Sequence, residues 1–152
     1  MKRFALVLTV VVAAVLVGNL PEAKAQAKEP YRPLSNGEMS AQGQWESWIF
    51  EFTNLTGKQK AEVVRRHIQM CLDSFEMTDE QRAVVKDMTA KYVTEAMYSE
   101  TDPEKRKAMV AAMQPDSEKA MALLGRELGS MVFAAKPPIS VLLAVKNDPA
   151  FK

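Results

Sequence analysis

The pattern that most constrains this chain is a helix-start signature that occurs twice, at Thr56-Gly57-Lys58-Gln59 and at Thr78-Asp79-Glu80-Gln81. In each copy the threonine hydroxyl can accept from an orphan N–H of the first turn, and the glutamine three residues on can reach back to the threonine's own N–H. An apolar residue, Leu55 or Met77, precedes each. The segment behind the first signature repeats apolar residues at helical spacing through Ala61, Val64, Ile68, Cys71, Leu72 and Phe75. The segment behind the second does so through Val85, Met88, Tyr92 and Ala96, flanked by Val84 and Val93. Only Glu76 and Met77 separate the two. Helices joined by so short a break are expected to fold back as an antiparallel hairpin.

Upstream, Trp45, Trp48, Ile49 and Phe52 fall on one face of a short helix, with Phe50 pointing elsewhere. Downstream, Thr101 with Glu104 repeats the capping spacing and Pro103 suits a first turn, so a third helix is expected through Met113. Pro115 should end or sharply kink it. Asp116 or Ser117 is then the expected cap of a fourth long segment, buried through Met121, Leu124, Leu128 and Met131 or Val132. Gly125 and Gly129 beside that face point to a close helix neighbour. Ile139 to Val145, after Pro137-Pro138, reads as a terminal helix, although a run of that length also suits a strand; Asn147 to Lys152 reads as frayed. The expected fold is a single all-α domain of four to five helices over residues 44–152, with the hairpin at its centre.

Residues 1–25 have the parts of a cleaved secretory signal peptide of bacterial Sec type: Lys2 and Arg3, the apolar run Phe4 to Val17, and Ala23-Lys24-Ala25. The apolar run is shorter than the roughly 20 residues that cross a bilayer, so no membrane span is expected after cleavage. Residues 26–43, interrupted by Pro30, Pro33 and Gly37, read as a flexible arm. After residue 25 the chain carries 17 basic and 18 acidic residues, a balance that gives no pull toward nucleic acid. A single cysteine, Cys71, excludes an internal disulfide and places stability on helix packing.

No nucleophile elbow, phosphate-cradling loop or haem-attachment motif is present, and no cofactor or enzyme activity is expected. A site built from carboxylates alone stays open, since helical carboxylates can meet by folding. His67 and Cys71 lie one helical turn apart and, with Met70, would suit a soft metal. The stripe already accounts for Cys71, so a metal is not the favoured reading. Methionines are spread over every helix; Met88, Met121 and Met131 fall on core stripes, whereas Met70 and Met97 fall off them. Trp45, Trp48, Phe52, Met70 and Met97 are therefore the residues expected to contact a protein partner.

At Leu55-Thr56-Gly57-Lys58-Gln59 and Met77-Thr78-Asp79-Glu80-Gln81, within residues 55–98, the chain resembles the bacterial periplasmic family defined by repeated Leu-Thr-x-x-Gln motifs, which includes the Spy and CpxP chaperones. Leu55, Thr56, Gln59, Thr78 and Gln81 match the motif, in a structural, capping role. The resemblance implies an exported, all-helical homodimer with antiparallel packing. It further implies ATP-independent protection of unfolding proteins, or adaptation to envelope stress. Two other classes fit the residues: a dedicated envelope-protein-binding module of inhibitor or immunity type with one cognate partner, and a periplasmic soft-metal-responsive protein using His67 and Cys71.

Overall fold

A computed structural model describes residues 36–152, with side chains from Gly43 onward; the expected signal peptide and most of the expected arm lie outside these residues. The described chain is all-α, with no strand among the described residues. Its helices are α1 (Asn36–Thr53), α2 (Gly57–Ser74), α3 (Asp79–Tyr92), α4 (Glu95–Ser99), α5 (Pro103–Leu124), α6 (Arg126–Phe133) and α7 (Ile139–Asn147), followed by a 3-10 turn at Pro149–Phe151. These seven α-helices exceed the four to five expected. The first begins inside the segment read as an arm, and Ile139 to Val145 is helical.

Both capping boxes form. Thr56 Oγ1 accepts from Gln59 N at 3.2 Å while Gln59 Oε1 accepts from Thr56 N at 3.0 Å, and Thr78 and Gln81 repeat the exchange at 3.1 and 3.0 Å. The expected long second helix is broken after Tyr92. Arg65 donates from Nε and Nη2 to the Val93 carbonyl, and the Thr94 hydroxyl accepts from Met97 N. The two groups whose bond would continue the helix are thus satisfied elsewhere, and α4 starts afresh with Ala96 exposed.

The start of α5 is capped by Asp102, not Thr101: Asp102 Oδ1 accepts from Glu104 N at 2.9 Å and Lys105 N at 3.2 Å, with Pro103 in the first turn. Pro115 does not end this helix, which runs on to Leu124. Proline removes the donor for the Ala111 carbonyl, but both residues are exposed, so water can take that carbonyl. Asp116 and Ser117, expected as caps, are helical. Gly125 makes the real break. Its φ of 77° and ψ of 166° belong to a region essentially reserved for glycine, and the chain re-enters helix as α6. Gly129 does permit close approach: a Cβ there would lie 2.4 Å from Met121 Sδ.

α2 is the hub and packs against α4, α7, α6 and α3. Ala61, Ile68, Cys71 and Leu72 join Val85, Val93, Leu124 and Val132 in one cluster. Val63, which lies off the expected stripe, is fully buried on another side of α2 with Trp48, Phe52, Leu55, Leu142 and Val145. Met88, Met113 and Ala120 form a third cluster between α3 and α5. The end of the chain is anchored rather than frayed. Asp148 caps the final turn, Arg66 pairs with Asp148 at 2.9 Å, and Phe151 packs on the second cluster beneath Lys58 and Arg66.

Candidate functional site

The aromatic residues of α1 form a ladder. Trp45 stacks on Trp48 with ring centroids 6.2 Å apart, and Trp48 on Phe52 at 4.8 Å, both nearly parallel. Helical spacing of three and four residues brings them into line. The ladder is held from outside by Lys136, whose Nζ lies 5.1 Å from the Trp45 ring and 5.7 Å from the Trp48 ring. The Trp48 indole donates to the Pro137 carbonyl at 2.8 Å. Lys60 lies over Phe52, where burial, and then the nearby Arg106 charge, hold its ammonium below the usual lysine range.

Only one end of this ladder reaches solvent. Trp45 is 48% exposed, whereas Trp48 and Phe52 are core residues, contrary to the expectation that all three would offer contact surface. Met70 is 46% exposed, as expected of a residue off the stripe. Met97 is buried at 7%, because the break after Tyr92 turns α4 and swings this side chain inward. Three exposed residues were missed: Phe50 at 67%, and Ile139 and Leu143 one turn apart on α7. The off-face position of Phe50 carried a signal in the sequence, but nothing there distinguished the outer face of α7 from its inner one.

A small cavity of about 60 Å³ lies between the first and third clusters. Val64, His67 and Ile68 line it from α2, Met88 and Tyr92 from α3, and Met113 and Ser117 from α5; its lining has no carboxylate. Tyr98 of α4 also faces it, and burial pushes its phenol well above the usual range. Asp116 accepts from the Tyr92 hydroxyl at 2.8 Å and from Lys91 at 3.3 Å, contacts that hold its carboxyl below the usual carboxylate range.

His67 and Cys71 do meet, with Nε2 3.7 Å from Sγ. The same Nε2 lies 3.2 Å from the Met131 carbonyl, which can only accept, so this nitrogen must carry the proton. In that tautomer Nε2, the ring nitrogen beside Cys71, has no lone pair for a metal, while Nδ1 keeps one. Burial lowers the imidazole's proton affinity, against the Met131 bond, and raises that of the thiol. Met70 is exposed while its two companions are buried, and no group of three or more His, Cys, Asp or Glu suited to a metal occurs among the described residues. Among those residues, no helix is long and apolar enough to cross a membrane. Comparison with protein-family models, curated proteins and solved structures gave no match.

Proposed function

We propose that this chain is an exported, non-enzymatic protein of the bacterial periplasm that holds apolar segments of unfolding proteins without nucleotide, in the manner of a chaperone or envelope-stress adaptor. The observation that carries this reading is the set of large apolar side chains left in solvent, Trp45, Phe50, Met70, Ile139 and Leu143, on a chain whose core closes without them. Burial of such surface stabilises a complex by about 25 cal/mol per Å², with no directional requirement on the partner. Export rests on residues 1–25. The same proposal includes a homodimer in antiparallel packing, with α2 and α3 as the central hairpin of each copy, which sedimentation analysis tests directly.

The first experiment is light scattering of a generic aggregating client with residues 26–152 added at rising ratio and no ATP. Suppression near stoichiometric ratio supports the proposal; none at several-fold excess sinks it. One observation favours a second reading, a module with one cognate partner. Trp45 is pre-positioned by Trp48 and Lys136, and a rigid aromatic anchor of this kind suits a defined pocket. A tight one-to-one complex recovered from envelope extract, together with no effect on generic clients, would select it.

A further inference from the structure

His67 is the single histidine of the chain, and its buried ring sits between α2 and the Met131 carbonyl of α6, on the wall of the cavity. The titratable groups facing it are few. α2 contributes the Cys71 thiol, 3.7 Å away; α3 the Tyr92 phenol, already donating to Asp116; α4 the Tyr98 phenol. α5 offers only Ser117, and α6 only the backbone carbonyl. No carboxylate lines the cavity to balance a positive charge. A neutral imidazole fits this wall, and an imidazolium would face Val64, Ile68 and Val132 without a counter-charge.

We propose that His67 is an acid-operated latch: once protonated, the ring leaves the seam between α2 and α6, and the cavity lining of Met88, Met113, Val132 and Phe133 opens to apolar segments of client proteins. The biological use of the latch rests on the client-binding reading above and adds its regulation. Burial puts the folded imidazole below its ordinary value of 6.5, so the unfolded or opened chain takes up the proton first. Stability contributed by the neutral ring is therefore complete above that value, and it is lost as pH falls through 6.5 toward the folded value. Asp116 and Asp148, both held below the ordinary carboxylate value of 3.8, give way only at lower pH. Between the ordinary carboxylate range and neutrality His67, the single histidine, is the side chain whose ordinary titration falls in the window.

The test uses tag-free wild-type protein and His67→Gln, whose amide keeps a donor for the Met131 carbonyl and takes no charge. The lone imidazole C2–H resonance is followed by NMR in native and urea-unfolded protein, and anilinonaphthalene sulfonate fluorescence is read across the same pH range. The expected result is a native midpoint below the unfolded one, with a several-fold rise in fluorescence that tracks the resonance and is absent in His67→Gln. A native midpoint at or above the unfolded one, a fluorescence rise with a separate midpoint, or an equal rise in His67→Gln overturns the latch. The wild-type comparison decides the matter even where the variant fails to fold. Client suppression that is equal at neutral and acid pH overturns the latch and leaves the function standing. Opening on acidification with no suppression at either pH does the reverse.

Discussion

The Trp48 indole donates to the Pro137 carbonyl at 2.8 Å, joining residues 89 positions apart in sequence. The bond fixes α1 to the link between α6 and α7, and it gives a buried carbonyl the only kind of partner an indole can provide. Trp48→Phe keeps most of the stacking on Phe52 but leaves that carbonyl unsatisfied, an expected cost of about 1–3 kcal/mol. Trp48→Ala also removes the ring and is expected to cost about 3–5 kcal/mol. Urea unfolding of the two variants separates the bond from the packing.

Gln81 has two tasks: its Oε1 accepts from Thr78 N, and its Nε2 donates to the Leu123 carbonyl at 3.1 Å. Gln81→Glu retains the first and forfeits the second. It is expected to lose about 1 kcal/mol, even though an acid is welcome at that position of a helix. Thr56→Ala and Thr78→Ala should each lose about 0.5–2 kcal/mol. A Gln81→Glu variant as stable as wild type would show that the tie to α5 contributes nothing.

The two glycines should respond differently. Gly125→Ala forces a side chain onto a φ of 77° and is expected to cost about 1–3 kcal/mol. Gly129→Ala meets only the end of the Met121 side chain, which can rotate away, and thermal unfolding should register little change.

Trp45→Ser and Phe50→Ser are expected to weaken suppression of client aggregation while leaving the melting temperature near wild type. Met97→Ser is expected to cost about 2–5 kcal/mol of stability, because that side chain is inside. Equal suppression by the double Trp45→Ser, Phe50→Ser variant would remove the α1 surface from the proposed function.

The all-helical character of the chain and two helix starts were legible, the starts because capping boxes are local chemistry: a threonine and a glutamine three residues apart satisfy the same orphan groups wherever they occur. The break after Tyr92 was not legible, since it depends on Arg65 reaching across to Val93 from another helix. The same distinction separates Met70 from Met97. Both stand off their stripes, but the second rides on a helix whose direction tertiary contacts set. Val63 was missed for a related reason: a hub helix is buried on more than one side, and a single-stripe reading finds only one.

Cys71 is buried, and burial raises its thiol further above neutrality. Native protein is expected to react slowly with an aromatic disulfide reagent at mildly alkaline pH, and urea-unfolded protein at the rate of a free thiol. Equal rates in the two states would mean that the α2–α6 seam opens readily even at alkaline pH.

Asp148 accepts from Ala150 N at 3.0 Å and from Arg66 at 2.9 Å, which together hold its carboxyl below the usual range. Its contribution to stability is present above 3.8 and is lost as pH falls through the lowered folded value. Asp148→Asn should flatten that strongly acid limb of the stability profile and leave the milder histidine limb unchanged.

α5 changes character just ahead of Pro115. No side chain from 103 to 112 is buried, whereas Met113, Ser117, Ala120 and Leu124 all are. With the Ala111 carbonyl already released from the helical ladder, the leading half can fray without disturbing the trailing one. The longest helix among the described residues is thus expected to behave as two cooperative units in series. In deuterium exchange its leading amides would be lost early by local opening, while those after Pro115 would persist until the core itself gives way.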